Sequence, residues 1–206
     1  MTDRRFRLLH ISDTHGKHRE LSEMPAADII VHSGDFTFGG SEDEVYDFVN
    51  WFCDLPYKHK IFIAGNHDDC LYGADLSGVD ANCHYLNNSA IEIEGLKFYG
   101  VPLFMQDVME GNLPKMYSQI PDDTDILITH QPPYSVCDLA DYGNGLEHRG
   151  NRDLVARIAQ LHLKYHLFGH EHDTYGVVKQ NGTVFSNAAV VDLNYNLIRK
   201  PRLFML

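Results

Sequence analysis

The residues most able to do chemistry fall in five short blocks. They are Asp13 and His15 in SDTH, Asp35 in SGD, Asn66, His67 and Asp68 in GNHDD, His130 in THQPP, and His170 and His172 in GHEH. Imidazole, carboxylate and carboxamide donors in one place suit first-row divalent ions such as Mn, Fe, Zn, Ni or Co. Taken singly, the blocks have plain structural readings. Asp13-x-His15 is also a turn or a helix N-cap, Gly34-Asp35 a turn, and Gly65 to Asp68 an Asx-type loop. GHEH is more specific, because alternate residues on an extended segment point the same way. Taken together, Asp13, His15, Asp35, Asn66, His130, His170 and His172 are too many donors for one ion and suit two ions sharing a bridge.

Such residues need strands to bring them together. Short apolar runs at 7–12, 28–32, 60–64, 125–129 and 165–168 read as buried strands, and each runs directly into one of the five blocks. The carboxyl ends of strands in an open α/β sheet meet at one edge, where ligands bind. Between the second and third runs, Ser41 and Glu44 form a capping box, and Val45, Phe48, Val49 and Phe52 recur at helical spacing. A second helix is expected from Asn151 as N-cap, with Leu154, Val155, Ile158 and Leu161 on one face. From Ala90 onward the pattern changes. A hairpin turning near Gly95 and another at Asn181-Gly182 predict a second set of mostly antiparallel strands. The expected fold is α/β, a four-layer α/β/β/α sandwich with two mixed sheets, and residues 1–206 read as one domain.

Composition narrows the partners. The chain is 44% hydrophobic and 22% charged, as ordinary globular proteins are. Its net charge of −12 excludes tight nonspecific binding to nucleic acid, though not a small phosphate ester held locally. Cys53, Cys70, Cys83 and Cys137 form no C-x-x-C pair and read as reduced thiols. The first residues lack an apolar signal core, and no apolar run reaches membrane-spanning length, so a soluble cytoplasmic protein is expected.

Of the other histidines, His10 and His32 lie inside strands and should hydrogen-bond locally. His59, His84, His162 and His166 read as surface or core-edge residues, and His18 as a residue past the turn that follows His15. Residues 101–121 and 131–151 are the two long irregular stretches, and long loops tend to be functional. Tyr134, Tyr142, His148 and Arg149 lie in the second. A Tyr there could stack on a base, and His148 or Arg149 could contact phosphate; the plain alternative is a solvated loop.

The five blocks, in this order, resemble the calcineurin-like metallophosphoesterase superfamily, whose pattern is D-x-H, G-D, G-N-H-[D/E], a lone His and G-H-x-H. The match runs from Asp13 to His172. The phrases LPYKHKIFIAGNHD, DILITHQPPY and FGHEHDTYGVV resemble the small metallophosphoesterase-domain-containing branch, which includes phosphodiesterases acting on cyclic nucleotides. The resemblance implies two divalent metal ions, manganese among the candidates. It gives Asp13, His15 and His172 to the first, Asn66, His130 and His170 to the second, and Asp35 to both. His67 would sit over the phosphate as general acid or electrostatic stabiliser, with Asp68 orienting it and Asn66 also touching substrate. The implied reaction is in-line attack of a metal-bridging hydroxide on a small or cyclic-nucleotide diester. A phosphomonoesterase, including a protein phosphatase, and a noncatalytic binding scaffold are the alternatives. The ligand blocks contain no Arg poised for a dianionic monoester, which favours diesters.

Overall fold

All five apolar runs form strands in the computed structural model, which describes residues 6–74, 76–141, 143 and 145–206. The elements in chain order are β1 (Arg7–Ile11), β2 (Ile29–His32), α1 (Glu42–Asp54), β3 (His59–Phe62), β4 (Cys83–Tyr85), β5 (Ser89–Ile93) and β6 (Leu96–Val101). There follow α2 (Met105–Glu110), α3 (Leu113–Ser118), β7 (Ile126–Thr129), β8 (Leu139–Ala140), β9 (Glu147–His148), α4 (Arg152–Ile158) and β10 (Tyr165–Phe168). The last are β11 (Gly176–Gln180), β12 (Thr183–Asn187) and β13 (Arg202–Met205).

Two mixed sheets result. One has the order β13-β1-β2-β3-β4, parallel except for the edge strand β13. The other has the order β11-β12-β10-β7-β6-β5. Its centre is parallel, β12 with β10, β10 with β7 and β7 with β6, and only the two edge hairpins pair antiparallel. The expectation of mostly antiparallel strands is corrected accordingly. The hairpins themselves turn where the sequence signals them, through Glu94-Gly95 and Asn181-Gly182, all four residues at positive φ as a type I′ turn requires.

The sheets pack face to face. Leu8, Ile29, Val31, Ile61 and Ile63 of the first meet Phe98, Ile126, Ile128 and Leu167 of the second. On the outer side of the first sheet, Val45, Phe48 and Phe52 of α1 cover Leu9, Ile30 and Phe62. On the outer side of the second, α3 and α4 cover Tyr99, Val101 and Leu127 with Leu113, Met116, Tyr117 and Leu154. This is the four-layer α/β/β/α order. The α1 N-terminus carries the expected capping box: Ser41 Oγ accepts from Glu44 N (3.3 Å) and Glu44 Oε2 accepts from Ser41 N (3.1 Å). Asn151 caps α4. That helix is shorter than its apolar spacing suggests, ending before the buried Leu161, and Val155 stays 37% exposed. Residues 101–121 are not irregular, since α2 and α3 occupy them.

His10 and His32 are buried and hydrogen-bonded, but their bonds are not local as expected, except that from Gly34 to His32. His10 spans the two sheets, Nε2 at 2.9 Å from Ser33 Oγ and Nδ1 at 3.0 Å from Ser186 Oγ. His32 accepts from Gly34 N at Nδ1, so its Nε2–H goes to Thr14 Oγ1 (3.0 Å). His166 is not a rim residue: it is fully buried in β10. Thr129 Oγ1 donates to Gln131 O (2.7 Å) and so accepts from His166 Nε2 (2.8 Å), while His166 Nδ1 has no partner among the described residues.

Burial drives the imidazoles of His10 and His166 from the usual 6.5 down to about 3. Between those values the unfolded chain binds protons that the folded chain refuses. Their stabilisation is therefore complete above pH 6.5 and lost as pH falls toward 3. Each histidine costs about 1.4 kcal/mol per pH unit in that window. We expect urea midpoints to drop sharply from pH 7 to pH 5, and His10→Gln and His166→Gln to flatten the slope. A pH-independent midpoint above pH 5 would contradict this.

Candidate metal centre

β1, β2 and β3 of one sheet and β7 and β10 of the other all release their chains toward one place. A single open sheet edge does not describe this centre; the ends of two facing sheets do. Isolated bridging between Ser12 and Ala189 ties the two ends together, with Ser12 N donating to Ala188 O (3.0 Å).

The backbone is forced to make it. Asp13 (φ 55°), His15 (φ 42°), Asp35 (φ 56°) and His170 (φ 69°) all lie in the left-handed region. Each such residue costs about 1–3 kcal/mol, and clusters of them mark functional sites. Two glycines are also forced. A Cβ at Gly65 would fall on Asp35 Oδ1, and one at Gly169 on Asp13 Oδ2. Only glycine lets the backbones approach the two carboxylates this closely.

The donors meet in three overlapping groups whose ligand atoms lie within 4.8 Å of one another: Asp13, His15 and His172; His15, Asp35 and His67; and Asp35, His130 and His170. Asn66 joins the last, its Oδ1 at 3.1 Å from His130 Nε2. Asp35 Oδ2 lies 3.2 Å from His130 Nε2 and 3.8 Å from His15 Nε2, between the two ends of the cluster. These contacts bring all seven expected donors together.

The hydrogen bonds around the cluster fix which ring nitrogen each imidazole turns inward. His15 Nδ1 faces Thr37 O (3.2 Å), His172 Nδ1 faces Asp192 O (3.1 Å), and His130 Nδ1 faces Ser33 O (2.9 Å). A carbonyl can only accept, so each Nδ1 carries a proton and each Nε2 turns a lone pair inward. His15 Nε2 then confronts His172 Nε2 at 3.3 Å, and His130 Nε2 confronts the oxygens of Asp35 and Asn66. Acceptors aimed at acceptors in a buried site require positive charge between them. Protons can supply part of it. Burial opposes a charge on His130, yet the adjacent Asp35 carboxylate pushes that imidazole up to about 10 and is itself held at about 2. Burial likewise opposes charge on His15 and His170 and brings each to about 4, so both are neutral donors near pH 7. Divalent ions satisfy all these lone pairs at once, so the donor set fits two of them.

His67 and Asp68 stand apart from one another. His67 Nδ1 donates to Phe38 O (2.9 Å), and its ring meets that of His15 edge-on at 4.6 Å. Asp68 does not orient it, which corrects the sequence reading. Its buried carboxylate instead accepts from the backbone N–H of Asp35 (2.9 Å), Thr37 (2.9 Å) and Gly65 (2.8 Å) and from Thr37 Oγ1 (2.8 Å). Asp68 therefore clamps the β2 and β3 loops together and sets where Asp35 sits.

Tyr134 and His148 line an open depression with Gln131, the residue after His130, and with Asn151 and Arg152. Asp138, buried, accepts from His148 Nδ1 (2.7 Å), Ser135 N (2.9 Å) and Gly150 N (2.9 Å), so the imidazole is held with Nε2 outward. Arg152 lies 3.5 Å over the Tyr134 ring. Arg149 does not line the depression; its guanidinium pairs with Glu147 (3.0 Å). Tyr142 lies outside the described residues. His18 is buried away from the centre, against Phe48 and Trp51 and bonded to Asp47 (3.1 Å). The residues that sequence reasoning missed are Phe38 and Tyr195. Tyr195 packs its ring at 4.8 Å against His15, and Phe38 supplies the carbonyl that orients His67.

Comparison with known proteins bears on the same residues. Residues 6–174 match the calcineurin-like phosphoesterase family, a span that includes every block above. The human metallophosphoesterase domain-containing protein 1 is 33% identical, over 95% of this chain and 69% of its own length. The UPF0046 protein C25E10.12 of Caenorhabditis elegans is 35% identical, over 98% of this chain and 81% of its own. Among solved structures, TT1561 of Thermus thermophilus superposes with a TM-score of 0.62 at 15% identity, covering 97% of this chain and 98% of that one, which shows a shared fold.

Proposed function

This chain belongs to the calcineurin-like phosphoesterase family and is a metal-dependent phosphoric ester hydrolase, and we propose that it hydrolyses small phosphodiesters, cyclic nucleotides among them. The observation that carries the reading is the pair of buried lone-pair clusters joined through Asp35. Asp13, His15 and His172 would hold one ion and Asn66, His130 and His170 the other, with Asp35 within reach of both. When bound, such ions polarise phosphoryl oxygens and acidify water. Their identity within the Mn, Fe, Zn, Ni or Co group follows availability more than the donor set.

The chain's own groups do the rest. His67, tethered at Nδ1 by the Phe38 carbonyl, turns Nε2 to the substrate and meets the charge that builds on the leaving oxygen. Asn66, Tyr134 and His148 form the substrate side near the β7 end. Support for a diester comes from the ligand blocks. None of the five ligand blocks contains an arginine, so the second negative charge of a monoester meets no guanidinium from them. Four unpaired cysteines fit a cytoplasmic setting, and no helix among the described residues is long and apolar enough to cross a membrane.

The test is a hydrolysis screen of protein loaded with manganese, nickel, cobalt or zinc. Bis-p-nitrophenyl phosphate and 2′,3′- and 3′,5′-cyclic nucleotides are compared with p-nitrophenyl phosphate. We expect kcat/KM on the diester to exceed that on the monoester by roughly tenfold or more, one lost charge interaction at the reacting centre. The reverse order would make the chain a monoesterase, protein phosphatases included. No turnover with any metal would leave a binding scaffold.

A further inference from the structure

Phe38 and Tyr195 stand against the centre without donating to it. The Phe38 side chain is 55% exposed. Its backbone is fully engaged: Phe38 N donates to Glu44 Oε1 (2.9 Å), and Phe38 O accepts from His67 Nδ1 (2.9 Å). The α1 capping box thus fixes the segment that carries both the ring and the carbonyl. The Phe38 ring lies 6.4 Å from that of His67 and meets Tyr195 edge-on at 5.0 Å.

Tyr195 is placed with equal care. It has φ 59°, a costly conformation for a bulky residue. The turn that imposes it is closed by Asp192, whose Oδ1 accepts from Asn194 N (2.9 Å) and Asn196 N (2.8 Å). The carbonyl of the same Asp192 accepts from His172 Nδ1. One turn therefore orients a candidate ligand and delivers an aromatic ring to 4.8 Å from His15, 5.8 Å from His172 and 6.3 Å from His67. Two rings at 79° to one another form a corner whose wall is the imidazole assigned to the leaving oxygen.

We infer that Phe38 and Tyr195 are the specificity-determining residues of this site, and that they take the flat aromatic part of the ester, an aryl ring or a nucleobase, on the side of His67. The inference rests on the hydrolase reading for the position of the leaving group. Its physical basis is independent of that reading. Perpendicular rings offer a flat guest one face to stack on and one edge to meet, whereas an aliphatic group gains only buried area. A neutral base also escapes the repulsion that the acidic chain exerts on polyanions.

Binding tests it without turnover. Manganese-loaded protein is titrated calorimetrically with adenosine 5′-monophosphate and with ribose 5-phosphate, which share sugar and phosphate and differ by the base. We expect the nucleotide to bind roughly tenfold more tightly, within the range for stacking one base on aromatic side chains. In Phe38→Ala that gap collapses, and Phe38→Trp restores or widens it; metal content, measured in each variant, is unchanged. Equal affinities in the wild type would overturn the inference, as would a gap that survives in Phe38→Ala. A base-dependent gap in a protein that hydrolyses no ester would support the corner while overturning the proposed reaction.

Discussion

Asp35→Ala is expected to lose both metal ions and to fall below detectable hydrolysis. The carboxylate takes part in two of the three donor groups, with Oδ2 3.2 Å from His130 Nε2 and 3.8 Å from His15 Nε2. Its other oxygen accepts from His67 N (2.8 Å), so the third block is tied to it as well. Removing it leaves His15, His172, His130 and Asn66 as neutral donors on either side of a gap, with one negative charge, Asp13, where there were two. The loss should exceed the roughly 10–100-fold that removing an outer hydrogen-bond partner of a ligand costs in affinity or activity. Asp13→Asn is the contrast, weakening the ion near His15 and His172 more than the ion near His130. Metal content by elemental analysis reads both variants, and anomalous scattering from crystals separates the two positions. Two ions retained in Asp35→Ala would remove the bridge from the proposal. Circular dichroism should show the fold kept, because the loop that carries Asp35 is clamped from beneath by Asp68.

The donors were legible because five separate chain segments each ended a strand in ligand-type residues, and chance does not arrange that five times. What sequence could not say is which strands share a sheet. Hydrophobic runs report burial and not neighbours, so β1, β2 and β3 read the same as β7 and β10 although they belong to different layers. For the same reason His166 was misplaced. In a parallel strand buried on both faces, a histidine carries no periodic signal that separates core from rim. Asp68 was misread through its proximity to His67 in the chain. Adjacent side chains leave the backbone in different directions, and this one turns inward to five donors while its neighbour turns outward to a carbonyl. The helices α2 and α3 were hidden because neither has a side-chain N-cap and α2 buries none of its residues. Phe38 had a trace in the sequence, since Glu44 of the capping box lies six positions on and holds its N–H. Tyr195 had only the Asp192, Asn194 and Asn196 turn residues around it, which announce a turn and nothing about what the turn carries.

His67→Ala should keep both metal ions and lower kcat by about 10²–10³-fold on esters with poor leaving groups, in the range of a positioned proton donor. The geometry poses the question sharply, because His67 falls in a donor group with His15 and Asp35 and could serve as a ligand instead. Its hydrogen bond leaves Nε2 free for either role. With Nδ1–H given to the Phe38 carbonyl, the ring can donate to an ester oxygen only through a proton on Nε2. A group so held acts as acid toward alkoxide leaving groups and matters less for p-nitrophenolate, which departs without a proton. The loss in His67→Ala should therefore be steep for a cyclic nucleotide and shallow for bis-p-nitrophenyl phosphate. Equal losses on the two esters would make His67 an electrostatic stabiliser of the phosphoryl charge. Loss of metal from the variant would make it a ligand, and the middle donor group would then replace the assignment of Asp35 as the sole link between the two ends of the centre. The Phe38 carbonyl distinguishes these outcomes further. Glu44→Ala leaves the imidazole in place but frees the segment that supplies the carbonyl, so it should reproduce part of the leaving-group dependence with metal content intact.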